Sequence, residues 1–302
     1  MTDAARDAFL SDLRARAALR GASPTPRAMT REALDEDDVT GDMRRRVAVL
    51  SMGNACEAHG PGLAPDIDDR TGAAVAVRVA CATGARYVGH VPYATDGIGD
   101  LAREWSPEYL PFDDFYDRTS RFATTLLRAF YDEAGAPRPN VVAFISGHGG
   151  NGALAAHLLR LAGDLGVERC LYSLSMRVPV QHADGVEHSV ARALGPGCVN
   201  DEAIRRVNES MRDDASLFET MAHDPAVSGM AGFYVFGDNR FDAVRRRYSG
   251  VKTSVAALVA ERRIDCDKAR GEGVLEASVA AISSELFDAA RALGLRPPWF
   301  AL

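Results

Sequence analysis

From Val47 onward, short apolar runs alternate with amphipathic stretches, and few folds accept that rhythm. The segment 47–52, VAVLSM, reads as a buried strand, and 70–83 reads as a helix. A second strand is expected at 87–93, YVGHVPY, and a helix at 113–134. A third strand, NVVAFIS at 140–146, precedes a helix at 150–165, and a fourth, RCLYSLSM, covers 169–176. One long helical pattern, 263–295, ends the chain. Strands that alternate with helices demand a mainly parallel sheet covered on both faces. In such folds ligands bind beyond the carboxyl ends of the strands. Upstream, Ala5, Phe9, Leu13 and Ala17 recur at helical spacing and stop at Gly21. The expected organisation is a helical N-terminal extension, 1–46, and a main domain, 47–302.

Bulk properties narrow the partners. Apolar residues make up 47% of the 302 positions and charged residues 25%, as in ordinary globular proteins. The net charge of −7 argues against a nucleic-acid partner. No apolar run approaches the roughly 18 residues that span a bilayer. The first twenty residues carry both charge signs and lack the apolar block of a signal peptide, so a cytoplasmic protein is expected. The 5 cysteines are scattered and none forms a CxxC pair, which suits reduced thiols. Cys56 adjoins Glu57, but no activating base is evident for a thiol nucleophile.

Three polar clusters follow strand ends. The first runs from Glu57-Ala58-His59-Gly60-Pro61 to Asp68-Asp69. Its glycines and prolines imply a turning loop able to bring Glu57, His59 and Asp68 to one point. Oxygen and nitrogen ligands of this kind suit Zn, Mn or Fe. A solvated acidic loop is the bland alternative. The second is Ser146-Gly147-His148-Gly149-Gly150-Asn151-Gly152, between strand and helix. Gly147, Gly149 and Gly152 also spell the dinucleotide fingerprint G-x-G-x-x-G. The next strand offers no acidic residue for a ribose, and that reading leaves the Glu57 cluster unexplained. The third is His182-Ala183-Asp184-Gly185-Val186-Glu187-His188-Ser189. Glu187 there has a bland role as a helix-dipole partner.

Together these residues resemble the creatininase (creatinine amidohydrolase) family. Glu57-Ala58-His59-Gly60-Pro61 with Asp68 resembles its opening motif. Ser146-Gly147-His148-Gly149-Gly150-Asn151 is similar to its Asn-Gly-His-Gly-Gly-Asn signature, and His182-Ala183 with Glu187 and Ser189 to its third motif. Gly250-Val251 and Lys268-Ala269-Arg270-Gly271 resemble its C-terminal block. The resemblance implies a three-layer α/β/α fold and two divalent metals per subunit. On that pattern Glu57, Asp68 and His148 hold one ion, and His59 and the bridging Asp68 hold the other. His182 matches the histidine that gives a proton to the leaving group. Gly149, Gly150 and Asn151, with Asp96 of the loop after the second strand, are the expected substrate contacts. Homo-oligomers, up to hexamers, are also implied.

Departures from the pattern matter equally. Gly150 stands where creatinine-cleaving members have a Glu ligand, and Glu187 is the candidate replacement, with a catalytic role beside His182. Gly62 stands where the family usually has a His, and Gly185 where it often has a Glu. The segment Ala94-Thr95-Asp96-Gly97 replaces the usual Ser-x-x-His. The pocket is therefore remodelled, and creatinine itself is not the expected substrate. The leading expectation is hydrolysis of the C–N bond of a small, cyclic amide or lactam by metal-activated water. A formamide, a peptide or the ring C–C bond of a cyclic ketone are rivals for the same site. A non-catalytic metal-binding relative is the alternative from another class. His90 is expected in the core, and Trp105, Tyr109, Phe112 and Phe115 as core packing, a lid or a subunit contact. Phe233, Tyr234 and Phe236 line either the pocket or an interface.

Overall fold

The computed structural model describes residues 42–57, 59, 62–97, 99–104, 106–131, 138–180, 182–213 and 264–296. The expected N-terminal helix, Trp105, the aromatic segment around Phe233 and Gly250-Val251 lie outside the described residues.

Four strands form one parallel sheet in the order β2-β1-β3-β4. They are β1 (Val47–Met52), β2 (Arg86–Val91), β3 (Val141–Ser146) and β4 (Arg169–Leu174). The two central strands are buried along their whole length, which explains their unbroken apolar runs. Successive side chains leave opposite faces of a strand. Val47 and Val49 accordingly join one core, and Ala48, Leu50 and Met52 the other.

Helices cover both faces. A single turn, α1 (Met43–Arg46), leads into β1. On one face lie α2 (Ile67–Thr83), α5 (Gly185–Leu194) and the long α7 (Lys268–Ala292). On the other lie α3 (Phe112–Tyr131) and α4 (Leu158–Leu165). Helix α6 (Asp201–Asp213) follows α5. This is the three-layer α/β/α architecture expected from the alternation.

Two local expectations need correction. Helix α2 starts at Ile67, three residues early, so Asp68 belongs to a first helical turn and not to the loop. Acidic groups are favoured there because they face the exposed N–H groups of the helix start. The segment after His148 is not α-helical from its beginning. It forms a 3₁₀ helix over Gly149–His157 before α4 takes over.

The chain leaves β1 to make β2 on one side and later places β3 on the other. The crevice between the ends of β1 and β3 is thus a switch point, where parallel sheets offer a binding site.

Candidate metal centre

The crevice holds the three polar clusters together. Glu57 follows β1, with its N–H donated to the Pro65 carbonyl at 3.0 Å. His148 follows β3 directly, and His182 and Glu187 flank the start of α5. Asp184 caps that helix by accepting from the Glu187 N–H at 2.9 Å. Glu57, His59, Asp68, His148 and Glu187 are all at most 5% exposed.

Glycines let the backbones come this close. A Cβ on Gly147 would stand 1.9 Å from the Asp68 carbonyl oxygen, and one on Gly72 2.3 Å from that of Met52. A Cβ on Gly53 would lie 2.5 Å from the Asp69 nitrogen. The start of α2 is thereby pressed onto the ends of β1 and β3, which aims Asp68 into the crevice.

Asp68 faces a different histidine with each oxygen. Its Oδ1 lies 3.3 Å from His59 Nε2, and its Oδ2 lies 3.0 Å from His148 Nδ1. Glu57 Oε2 is 2.8 Å from the same His148 nitrogen, and Glu187 Oε1 is 3.8 Å from His59 Nε2. Each histidine uses its remaining nitrogen on the main chain. His59 Nδ1 bonds to the Glu57 carbonyl at 3.0 Å, and His148 Nε2 to that of Thr95 at 3.0 Å. A carbonyl only accepts, so these nitrogens carry the protons. In its neutral form each ring would therefore turn a lone pair toward carboxylates, the arrangement that orients a histidine onto a metal. Among the described residues, buried His59 Nε2 makes no well-formed hydrogen bond, and its nearest carboxylate oxygen is Asp68 Oδ1.

Three buried carboxylates need positive charge. With no divalent cation between them, the histidines must supply it. Burial would depress the His59 imidazole, but Asp68 and Glu187 outweigh it and push it up to about 10. His148 is likewise raised, with Glu57 and Asp68 overcoming its burial. Burial would raise Asp68, yet the two histidines hold it well below the usual carboxylate range. Burial pushes Glu187 up to about 8 against the pull of His59, and Asp68 adds to the rise. A proton or a metal ion has to occupy each histidine–carboxylate gap, so the donor set fits divalent cations. Among the described residues, three groups bring ligand atoms within 4.8 Å of one another: Glu57 with His59 and His182, Glu57 with Asp96 and His148, and His59 with Asp68 and Glu187.

His182 is the most accessible of the histidines here. Its Nδ1 lies 3.8 Å from Glu57 Oε1, and its ring lies 4.3 Å from that of His59, tilted by 38°. The glycines after His148 differ from one another. A Cβ on Gly149 would meet nothing within 4 Å, whereas one on Gly150 would stand 2.4 Å from the Thr95 carbonyl. The Asn151 amide is spent on protein: it donates to Gly53 O and Ser146 Oγ and accepts from Thr95 N. His90, expected in the core, is buried between Ser51 Oγ at 2.9 Å and Asp69 Oδ1 at 3.1 Å. Tyr109 and Phe115 are buried as packing residues.

Sequence reasoning passed over Asn54, which donates to Glu57 Oε2 at 3.3 Å and to Ser106 Oγ at 2.7 Å. A buried asparagine three residues before a ligand carries no signature of its own. It also gave no special weight to His188, whose Nε2 sits where a side chain on Gly62 would project, 2.6 Å from that Cβ.

No protein-family model matches the chain. It is similar to the 2-amino-5-formylamino-6-ribosylaminopyrimidin-4(3H)-one 5'-monophosphate deformylase of Methanothermobacter thermautotrophicus, with 26% identity over 168 residues. That match spans 54% of this chain and 64% of the deformylase, less than two thirds of its length. The deformylase of the same name from Methanobrevibacter ruminantium is 23% identical over 248 residues, 82% of this chain and 90% of that one. Among solved structures, a mutant creatininase of the Zn-Zn type is 18% identical, with a TM-score of 0.47 over 82% of this chain and 90% of its own. In sequence, the chain is similar to the two deformylases.

Proposed function

We propose that this chain is a divergent member of the creatininase family and a metal-dependent amidohydrolase that cleaves the C–N bond of a small amide. The observation that carries the reading is the paired histidine geometry. Each ring is tethered to a main-chain carbonyl and turns its free nitrogen toward buried carboxylates.

Glu57, Asp68 and His148 would hold one divalent ion, and His59, Asp68 and Glu187 a second, with one oxygen of Asp68 toward each. Bound there, Zn, Mn or Fe supplies a water of lowered pKa and polarises the substrate carbonyl. The chain's own residues do the rest. Asn54 and Ser106 fix the Glu57 carboxylate. His182, at the open side of the cluster, can deliver a proton to the departing nitrogen, a role suited to an imidazole near neutral pH.

Two substrate types compete within the amide class. The three motifs suit a cyclic amide or lactam, whereas the missing side chains at Gly62 and Gly150 and the similarity to two deformylases favour a formamide. A panel of both, assayed for ring opening and for formate release by metal-loaded protein, separates them. Hydrolysis of either type supports the reading, and turnover of neither by protein with both ions bound overturns it. In the same assay Asp68→Asn is expected to lower the metal content and to abolish hydrolysis, since it removes the negative charge and replaces one of the two oxygens, each of which faces a different position, by an amide nitrogen.

A further inference from the structure

The loop after β2 approaches the centre more closely than a substrate-facing loop needs to. Thr95 is pinned at three points. Its N–H donates to Asn151 Oδ1 at 3.0 Å, its hydroxyl donates to the Leu110 carbonyl at 2.8 Å, and its carbonyl accepts from His148 Nε2 at 3.0 Å. The next residue, Asp96, is pinned on its far side, where its carbonyl accepts from the Gly99 N–H at 3.2 Å. The loop also fills the space beside Gly150. A Cβ there would fall 2.4 Å from Thr95 O, 2.5 Å from His148 Nε2 and 3.0 Å from the Asp96 Cα. A side chain at 150 has no room, and the chain brings a different carboxylate. One ligand atom of half-buried Asp96 lies within 4.8 Å of ligand atoms of Glu57 and His148.

We propose that Asp96 is a ligand of the metal held by Glu57, Asp68 and His148. The proposal rests on the metal-centre reading above and makes the two positions unequal. Four protein donors close the first, whereas His59, Asp68 and Glu187 leave the second one short. Closed sets suit tightly held ions, and sets of three protein ligands leave room for water and substrate. The open position is the one beside His182, whose ring lies 4.3 Å from that of His59. Asp96 would then act as a fixed part of the centre and would not contact substrate.

The test uses the full chain with Asp96→Ala and Asp96→Asn. Zn(II) and Mn(II) are titrated into metal-free protein against a competing chelator, and the tighter and looser affinities are fitted separately. The expected result is a loss of at least about tenfold at the tighter position, roughly 1.4 kcal/mol, with the looser one little changed. Circular dichroism and thermal unfolding of the metal-free forms should match the wild type, since the carboxylate is half-buried and the loop is held by Thr95. Wild-type affinity at the tighter position in both variants overturns the assignment. So does a variant whose metal-free form is already unfolded or destabilised, because Asp96 is then a structural residue of the loop. Wild-type protein that binds neither ion overturns the metal-centre reading itself, a distinct outcome.

Discussion

His188 shows how much one side chain can reveal here. Its Nδ1 bonds to the Asp184 carbonyl at 2.9 Å, and among the described residues its Nε2 has no hydrogen-bond partner. Burial holds this imidazole down to about 4 from an ordinary 6.5. A depressed pKa means that the folded state prefers the neutral ring. The associated stability is therefore full above pH 6.5 and is lost as pH falls through about 4. The shift corresponds to roughly 3 kcal/mol. Urea unfolding of metal-free protein at pH 7 and pH 4 should show wild type losing about that much more than His188→Asn. Equal losses in the two would contradict a buried, neutral His188.

At the scale of elements, the helix start that carries Asp68 is held by backbone contact at glycines. Gly147→Ala would drive a methyl into the Asp68 carbonyl, so it is expected to cost at least about 2 kcal/mol in chemical unfolding and to weaken metal binding. Gly149→Ala meets open space and should stay within about 0.5 kcal/mol of wild type. The same elements show what could be read in advance. All four strands were legible, the two central ones because unbroken runs such as 47–52 bury both faces and the outer two because each lies between helical patterns. The start of α2 was not, because Pro65 and the nearby glycines masked a helical turn that already includes Asp68. Nor was the 3₁₀ segment after His148, since hydrophobic spacing cannot tell a tight helix from a regular one over nine residues. Within the centre, Glu57, His59, Asp68 and His148 announce themselves by short-range motifs. Asn54 and the metal-facing position of Asp96 arise from contacts between loops, for which the sequence holds no local pattern.

For the whole molecule, metal and proton compete for the same gaps, and this gives metal removal a pH signature. In the metal-free protein His59 is raised to about 10 and Glu187 to about 8. Raised values favour the protonated folded state, so stability is full below the ordinary 4.5 of Glu187 and 6.5 of His59. It declines as pH rises through 8 and 10. The metal-loaded protein should run the other way, because metal ligation requires deprotonated ligands. Thermal unfolding with and without a chelator should therefore show a gap that widens from pH 6.5 to 9. With free ion about a thousandfold above its Kd, loading alone should add about 4 kcal/mol. A gap that is flat or shrinks with pH would count against shared gaps.

The tethers on His59 and His148 are main-chain oxygens, those of Glu57 and Thr95. No substitution can delete a carbonyl, so no single side-chain exchange at those two positions removes the hydrogen bond that sets either ring. The inner geometry is thus insulated from the identity of its neighbours. Side chains around the crevice that do not crowd those carbonyls, as one at Gly150 would, can differ without turning the imidazoles. A scaffold of that kind can acquire new substrates by changing its walls while its reactive floor stays in place.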